Sequence, residues 1–495
     1  MSQIKKGALL SYLNIGLTNI IGLLLTPYII RNLGNSEYGL YLLIGSIITY
    51  ISVMDLGLNN SVIRYVSLYK AEDNPEKEKK LISTLFLVYL IICVTALIIG
   101  TIIYCYFDKV FSNSLTLNEI ELGKKMFIVL LFNLILSLPG GVFSALCNAY
   151  QMFVFPRFLQ IIKYVLRAFL VYLVLFMDGG ALSLVIIDSV LNLLVIGITI
   201  FYTIYHLNIR YELSFKIDKI FLLEILSYTI WGFLAIIAFQ LQWNIGQTVL
   251  GINFDTSTVA VFGVGVILGG YYGAFAGVIN TLLLPKATKL FSENKNGYEY
   301  TSEMIKVARI NLILLLLILG GFILFGKLFI LLWLNESYLQ AWEISLSIMI
   351  VMTLPLVQAF GNSILEAHLK NRFRAIFYIS TLSVASFFSY YLSINYGIYG
   401  ALLPLLCAIV INSIGLFLYF KIVFGFEIIR FWKEVFIKPI YINIILLIVS
   451  YLILKCFILE NWLHLLTAIL IFSIIYCIVN YFLVLNNNEK KLIKI

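Results

Sequence analysis

"FLQIIKYVLRAFLVYLVLF", residues 158–176, is hydrocarbon-soluble along its whole length but for the cations Lys163 and Arg167. At a helical rise of 1.5 Å per residue its 19 residues reach about 28 Å, the depth of a bilayer's hydrocarbon core. A barrel strand would need only about 10 residues of alternating character, so the stretch reads as a membrane-spanning helix. The two cations lie four apart and share one helical face. A central arginine costs about 2.5–3.5 kcal/mol on the insertion scale, so that face must meet water, a partner or an anion.

The same pattern recurs throughout the chain. Of 495 residues, 62% are hydrophobic and 12% charged, against roughly 45–50% and 25% in soluble domains. Fourteen stretches are long and apolar enough to span. They are residues 7–30, 38–65, 81–107, 126–149, 158–177, 181–205 and 222–250, then 259–284, 305–325, 341–365, 373–394, 397–420, 435–457 and 463–485. Lys5 and Lys6 precede an apolar run too long for a cleaved signal peptide, which reads as a first spanning helix. The fold class expected is therefore an all-α polytopic membrane protein of about 14 transmembrane helices.

Charge sets the orientation. With the N-terminus inside, 24 of the 34 Lys and Arg fall in inner segments and 6 in outer ones. Arg64, Lys163, Arg167 and Arg309 lie within helices. Such an excess predicts both termini on the cytoplasmic side. The net charge of +9 is scattered over short loops with no basic module, which argues against a nucleic-acid partner and for contact with membrane lipids. The six cysteines show no Cys-x-x-Cys spacing and read as small apolar packing residues. No cofactor or metal is expected. Short loops leave no room for a catalytic domain, so the protein is read as a non-enzyme.

Local patterns repeat at one offset. Gly34 and Gly251 end similar tripeptides, Ser137–Pro139 is echoed by Thr353–Pro355, Lys70 by Lys286, and Gly180–Leu182 by Gly400–Leu402, at separations of 216–220 residues. An even number of helices per copy gives two parallel six-helix repeats, an arrangement found in secondary transporters. The expected division is an N-lobe at 1–215, a C-lobe at 216–420 with a cavity between them, and two accessory C-terminal helices in 421–495.

Polar residues inside the membrane mark candidate sites. Arg167 sits mid-helix, either in an ion pair with Asp188 or Asp55 or lining a cavity. Lys163 is within two turns of the inner end, where snorkelling competes with function. Arg64 and Arg309 are nearer still, and snorkelling accounts for both. Asp55, in "VMDLGLNN", is a relay or a helix-pairing group. Gln240, Asn244, Gln247 and Gly251 form one stripe, as do Ser11, Asn14 and Thr18, which points to a shared cavity wall or to inter-helix hydrogen bonds. Gly265, Gly269, Gly273 and Gly277 form a packing ladder.

Residues 25–67, "LTPYIIRNLGNSEYGLYLLIGSIITYISVMDLGLNNSVIRYVS", resemble the opening of the polysaccharide-transporter family through Pro27, Leu33-Gly34, Glu37-Tyr38-Gly39 and Asp55-x-Gly57. "ALCNAYQMFVFPRF", with Tyr150-Gln151, is similar as well. These Wzx-type proteins, of the multidrug/oligosaccharidyl-lipid/polysaccharide exporter superfamily, are flippases of undecaprenyl-diphosphate-linked oligosaccharides in the bacterial inner membrane. The resemblance implies alternating access, a cationic cavity for the headgroup, and a role in O-antigen or capsule assembly beside a polymerase and a chain-length regulator. It also implies that Arg167, Lys163 and Arg64 contact diphosphate or acidic sugars. A cation-coupled multidrug exporter of the same superfamily is the nearest alternative. A polysaccharide polymerase or ligase is the alternative from another class.

Overall fold

The structure, a computed structural model, describes the chain apart from residues 1–2, 208–218, 281–286, 291–295, 369, 458, 487–488 and 491–495. Side chains at 3–9, 12, 207, 219–228 and 275–280 are likewise outside it. Lys286 and the side of the helix at Gly277 therefore lie outside the described residues.

Among the described residues the chain is helical and has no strands. The helices are α1 (Gln3–Ser52), α2 (Leu58–Ala71), α3 (Pro75–Phe111), α4 (Leu117–Ala149), α5 (Val154–Phe176), α6 (Ala181–Leu207), α7 (Lys219–Asn253) and α8 (Thr256–Asn280). They continue as α9 (Gly297–Trp333), α10 (Leu339–Val357), α11 (Ala359–Ala367), α12 (Arg372–Phe424), α13 (Ile428–Trp432), α14 (Lys438–Leu454) and α15 (Trp462–Val479). Sequence signals fix several ends. Thr116 and Glu119 form a reciprocal capping box at α4, and Asn296 and Glu299 do the same at α9. Pro75 opens α3, where its missing N–H costs nothing, and Asn74 accepts from the Lys77 amide at 3.1 Å.

Twelve described helical runs are long and apolar enough to cross a membrane, against fourteen expected stretches. The difference lies in two runs, Leu13–Ala71 and Arg372–Phe424, of 59 and 53 residues. At 1.5 Å per residue each would reach about 80–90 Å if straight, far more than one bilayer. Each breaks at a glycine with positive φ, Gly34 at 76° and Gly397 at 55°, a conformation that side chains disfavour. Each run thus carries two of the expected stretches across a hinge. A second difference concerns residues 38–65, expected as one helix. The backbone leaves the helix through a 3-10 turn at Val53–Asp55, with Leu56 and Gly57 left-handed, and resumes at Leu58.

Packing divides the chain into two compact units. One holds Met1–Ala260 with Tyr390–Ile398, the other Val261–Ser389 with Tyr399–Ile495. The first has Leu40, Leu43, Ile44, Leu58, Val62 and Leu146 wholly buried. Here the motif residues 37–39 acquire physical reasons. The Glu37 carboxylate accepts from the Ala181 amide at 3.2 Å, placing negative charge at the start of α6. Tyr38 is buried. Gly39 lies where an added Cβ would collide with the Thr256 carbonyl of α8. Beside it Thr256 Oγ1 donates to Glu119 at 2.6 Å, and Ser36 donates to the same carboxylate oxygen.

In the second unit the glycine ladder packs as expected at two positions. Gly265 and Gly269 leave room for Ile344 and Ile348 of α10. The accessory helices α14 and α15 close on α9 through Phe325, Leu446, Leu465, Phe472 and Tyr476. Arg309 of α9 joins the same assembly. It pairs with Glu489 at 2.6 Å and donates to the carbonyls of Glu434 and Val484 at 2.7 and 2.9 Å. Those carbonyls belong to two π-helical turns, Lys433–Ile437 and Asn480–Val484, whose irregular bonding leaves oxygens to be satisfied. Snorkelling, expected for Arg309 from sequence, is not what occurs: its guanidinium is buried and bonded at all three nitrogens.

Candidate functional site

Helix α5 buries only Leu159, Val171 and Leu175, while Phe158, Ile162, Val165, Leu166 and Phe169 are exposed. Its polar side faces α6 and α1. Because α5 and α6 run antiparallel, residues four apart on one meet residues four apart on the other, and two rungs result.

On the upper rung, Arg167 holds Asp188 by two hydrogen bonds, from Nε to Oδ1 and from Nη2 to Oδ2 at 3.0 Å. Tyr41 of α1 completes it, donating to Asp188 Oδ2 at 3.0 Å and accepting from Arg167 Nη2 at 3.3 Å. The pair is not sealed, with 22% and 25% of the two side chains exposed. On the lower rung, Lys163 donates to Asn192 Oδ1 at 3.0 Å. The Asn192 amide in turn donates to Asn133 Oδ1 at 3.0 Å and Ser137 Oγ at 2.7 Å, both on α4. The upper rung sets cation against anion. The lower sets a cation against a neutral amide.

Of the two carboxylates considered for Arg167, the structure joins it to Asp188. Asp55 is engaged elsewhere: it accepts from Tyr89 at 2.8 Å and from Asn59 at 3.3 Å, at the break below α1. Arg64 is exposed on α2, 5.7 Å from the Tyr65 ring. Thr18 bonds back to the Asn14 carbonyl at 2.8 Å, and Asn14 Oδ1 is buried with no hydrogen-bond partner among the described residues. Asn244 donates to Gln240 at 2.7 Å, so the α7 stripe is partly self-satisfied. Gln247 is buried, and Thr248 reaches Ser46 of α1 at 3.0 Å.

Sequence reasoning missed Tyr41, Tyr89, Asn192, Asn133 and Ser137. One signal could have found Asn192, which follows Asp188 by four, the spacing of Lys163 and Arg167. Arg157 also went unremarked; it donates to Ser11 Oγ of α1 and to Asn148 at 3.4 Å. Among the described residues no three His, Cys, Asp or Glu side chains are close enough to hold a metal ion.

The fold is similar to the lipid II flippase MurJ in its inward closed conformation, with a TM-score of 0.69 at 17% identity over 96% of this chain and 98% of that one. An inward-facing multidrug resistance MATE family transporter of the MOP superfamily gives 0.67 at 14%, over 83% and 94%. An outward-facing one gives 0.60 at 12%, over 86% and 95%. At such identities the likeness is one of fold. No curated protein sequence matches the chain. The profile of the family described as "Polysaccharide biosynthesis protein" matches residues 4–291, more than half the length. The chain is a multi-pass membrane protein of MOP-type fold, and it belongs to the polysaccharide biosynthesis protein family.

Proposed function

We propose that the protein is a flippase that moves undecaprenyl-diphosphate-linked oligosaccharide from the inner to the outer leaflet of a bacterial cytoplasmic membrane, by alternating access, for assembly of a surface polysaccharide such as O-antigen or capsule. Both termini are cytoplasmic in this reading. A polymerase and a chain-length regulator act beside it on the delivered lipid. The observation that carries the proposal is the partly exposed cationic ladder, Lys163 and Arg167, set within spanning helices of a polysaccharide biosynthesis family member. Guanidinium and ammonium groups suit a diphosphate. Arg64, Asn14, Thr18, Gln240, Asn244 and Gln247 are further headgroup contacts in this scheme.

The multidrug exporter alternative draws support from Asp55, a membrane-embedded carboxylate at a helix break, bonded to Tyr89 and Asn59. Complementation separates the two. In a strain deleted for this gene, Arg167→Ala should insert normally yet fail to restore surface polysaccharide. Restoration of polysaccharide by that variant removes Arg167 from the mechanism. A deletion that alters drug resistance and leaves polysaccharide unchanged overturns the flippase reading.

A further inference from the structure

In the second compact unit, α10 ends at Val357 and α11 begins at Ala359, with Gln358 the single residue between them. The side-chain amide of Gln358 donates to the Ser413 carbonyl of α12 at 2.8 Å. The Asn311 amide of α9 donates to the Leu356 carbonyl, at the end of α10, at 3.1 Å. A carbonyl only accepts, so both amides must present nitrogen to it and turn their oxygens away. Those oxygens, Gln358 Oε1 and Asn311 Oδ1, are buried with no hydrogen-bond partner among the described residues. So are Ser413 Oγ, on the residue whose carbonyl Gln358 holds, and Asn362 Oδ1, one turn further along α11. Asn311 and Gln358 are each 1% exposed and Ser413 is 2% exposed. Buried amides elsewhere in the same unit are not left so. Asn443 and Asn480 exchange hydrogen bonds, and Asn412 accepts from Thr381 at 2.6 Å.

A buried acceptor without a partner is costly, so a group that serves several of them at once is favoured. Three of the four oxygens belong to amides and can only accept; the Ser413 hydroxyl can donate once. A single water carries two protons and meets two acceptors, whereas an alkali cation takes oxygen ligands from all sides. The four oxygens include no carboxylate, which suits a single positive charge and not calcium or magnesium, whose sites draw on carboxylates. Arg309, two residues before Asn311, lies about 200° round α9 from it and is spent on Glu489 and two carbonyls. We propose that Asn311, Gln358, Asn362 and Ser413 hold one alkali cation through neutral oxygens at the α10–α11 junction, pinning α9, α10, α11 and α12 together there. The ion is a structural ligand of the second unit, independent of which cargo the protein moves.

The test melts the full-length protein in detergent with sodium, potassium or choline chloride at equal concentration, so that ionic strength is constant. Sodium or potassium should raise the melting temperature of wild type saturably over choline, by about 2–4 °C once the ion exceeds its dissociation constant severalfold. Ser413→Ala removes a hydroxyl that has no hydrogen-bond partner among the described residues. It should melt like wild type in choline, while the cation concentration at half-effect rises at least about tenfold. Gln358→Met should melt alike in all three salts. A rise shared by sodium and potassium makes the site unselective, and a rise with one of them names its ion; both results sustain the proposal. Equal melting of wild type in all three salts assigns the oxygens to water and overturns it. A cation effect undiminished in Ser413→Ala overturns it too, because the ion then binds elsewhere. Should Gln358→Met not fold, Ser413→Ala decides alone.

Discussion

Two of the arginines in the spanning helices pair with a carboxylate, Arg309 with Glu489 and Arg167 with Asp188, and their surroundings differ. Arg309 and Glu489 are 6% and 7% exposed. All three nitrogens of that guanidinium donate, to a carboxylate and to carbonyls from two π-helical turns. Arg167 and Asp188 are three to four times more open and share a phenol, not backbone. A saturated, sealed guanidinium can only hold helices together. The Arg167 guanidinium is left partly open, beside a lysine whose hydrogen-bond partner is an amide. Sequence position alone made both look like arginines in membranes; surroundings separate them.

The largest effect should come from the sealed pair. Arg309→Ala strands a buried carboxylate, and breaking such pairs costs about 3–5 kcal/mol. Little folded protein should be recovered, by detergent melting or by yield, and the double variant Arg309→Met with Glu489→Leu should regain much of the loss. If Arg309→Ala melts like wild type, the contrast fails on that side. Next comes Arg167→Ala, expected to insert and to lose about 1.5–3 kcal/mol, the range for hydrogen bonds to charged groups, yet to abolish surface polysaccharide. A variant that unfolds instead would make this pair structural like the other.

Asp188→Asn sharpens the comparison from the opposite direction. It frees Arg167 from its counter-ion and should tighten binding of farnesyl diphosphate by about tenfold, at lower thermal stability. Unchanged affinity would mean that the upper rung is closed to cargo. The smallest effect is expected at the reciprocal amide pair Asn443 and Asn480, which join α14 to the π turn after α15 at 3.1 and 3.0 Å. Asn443→Leu should cost about 0.6–2 kcal/mol and leave polysaccharide export intact. Lost export would give the accessory helices a part in transport.

Much of the fold was legible because a bilayer imposes a strict length on apolar runs. The spans, their approximate ends and the helix-on-helix packing of Gly265 and Gly269 followed from that. The hinge at Gly34 was marked by its tripeptide, but the break at Asp55 was not: "VMDLGLNN" is apolar enough to pass for continuous helix, and the left-handed Leu56 has no sequence signature. The ladder was half legible. Arg167 and Asp188 are conspicuous in hydrocarbon, whereas Asn192, Tyr41 and Tyr89 look ordinary, since amides and phenols are common in spanning helices. The duty of Arg309 was hidden because its partner, Glu489, is 180 residues away and its other acceptors are backbone carbonyls, which no side-chain pattern records.

The lower rung also has an evolutionary consequence. Codons for asparagine and aspartate differ at one base, so a single transition at position 192 would switch the rung between a cation–amide contact and an ion pair without rebuilding any helix. Related chains could move between the two by that one step, and the residue aligned with Asn192 would report whether each carries an amide or a second ion pair there.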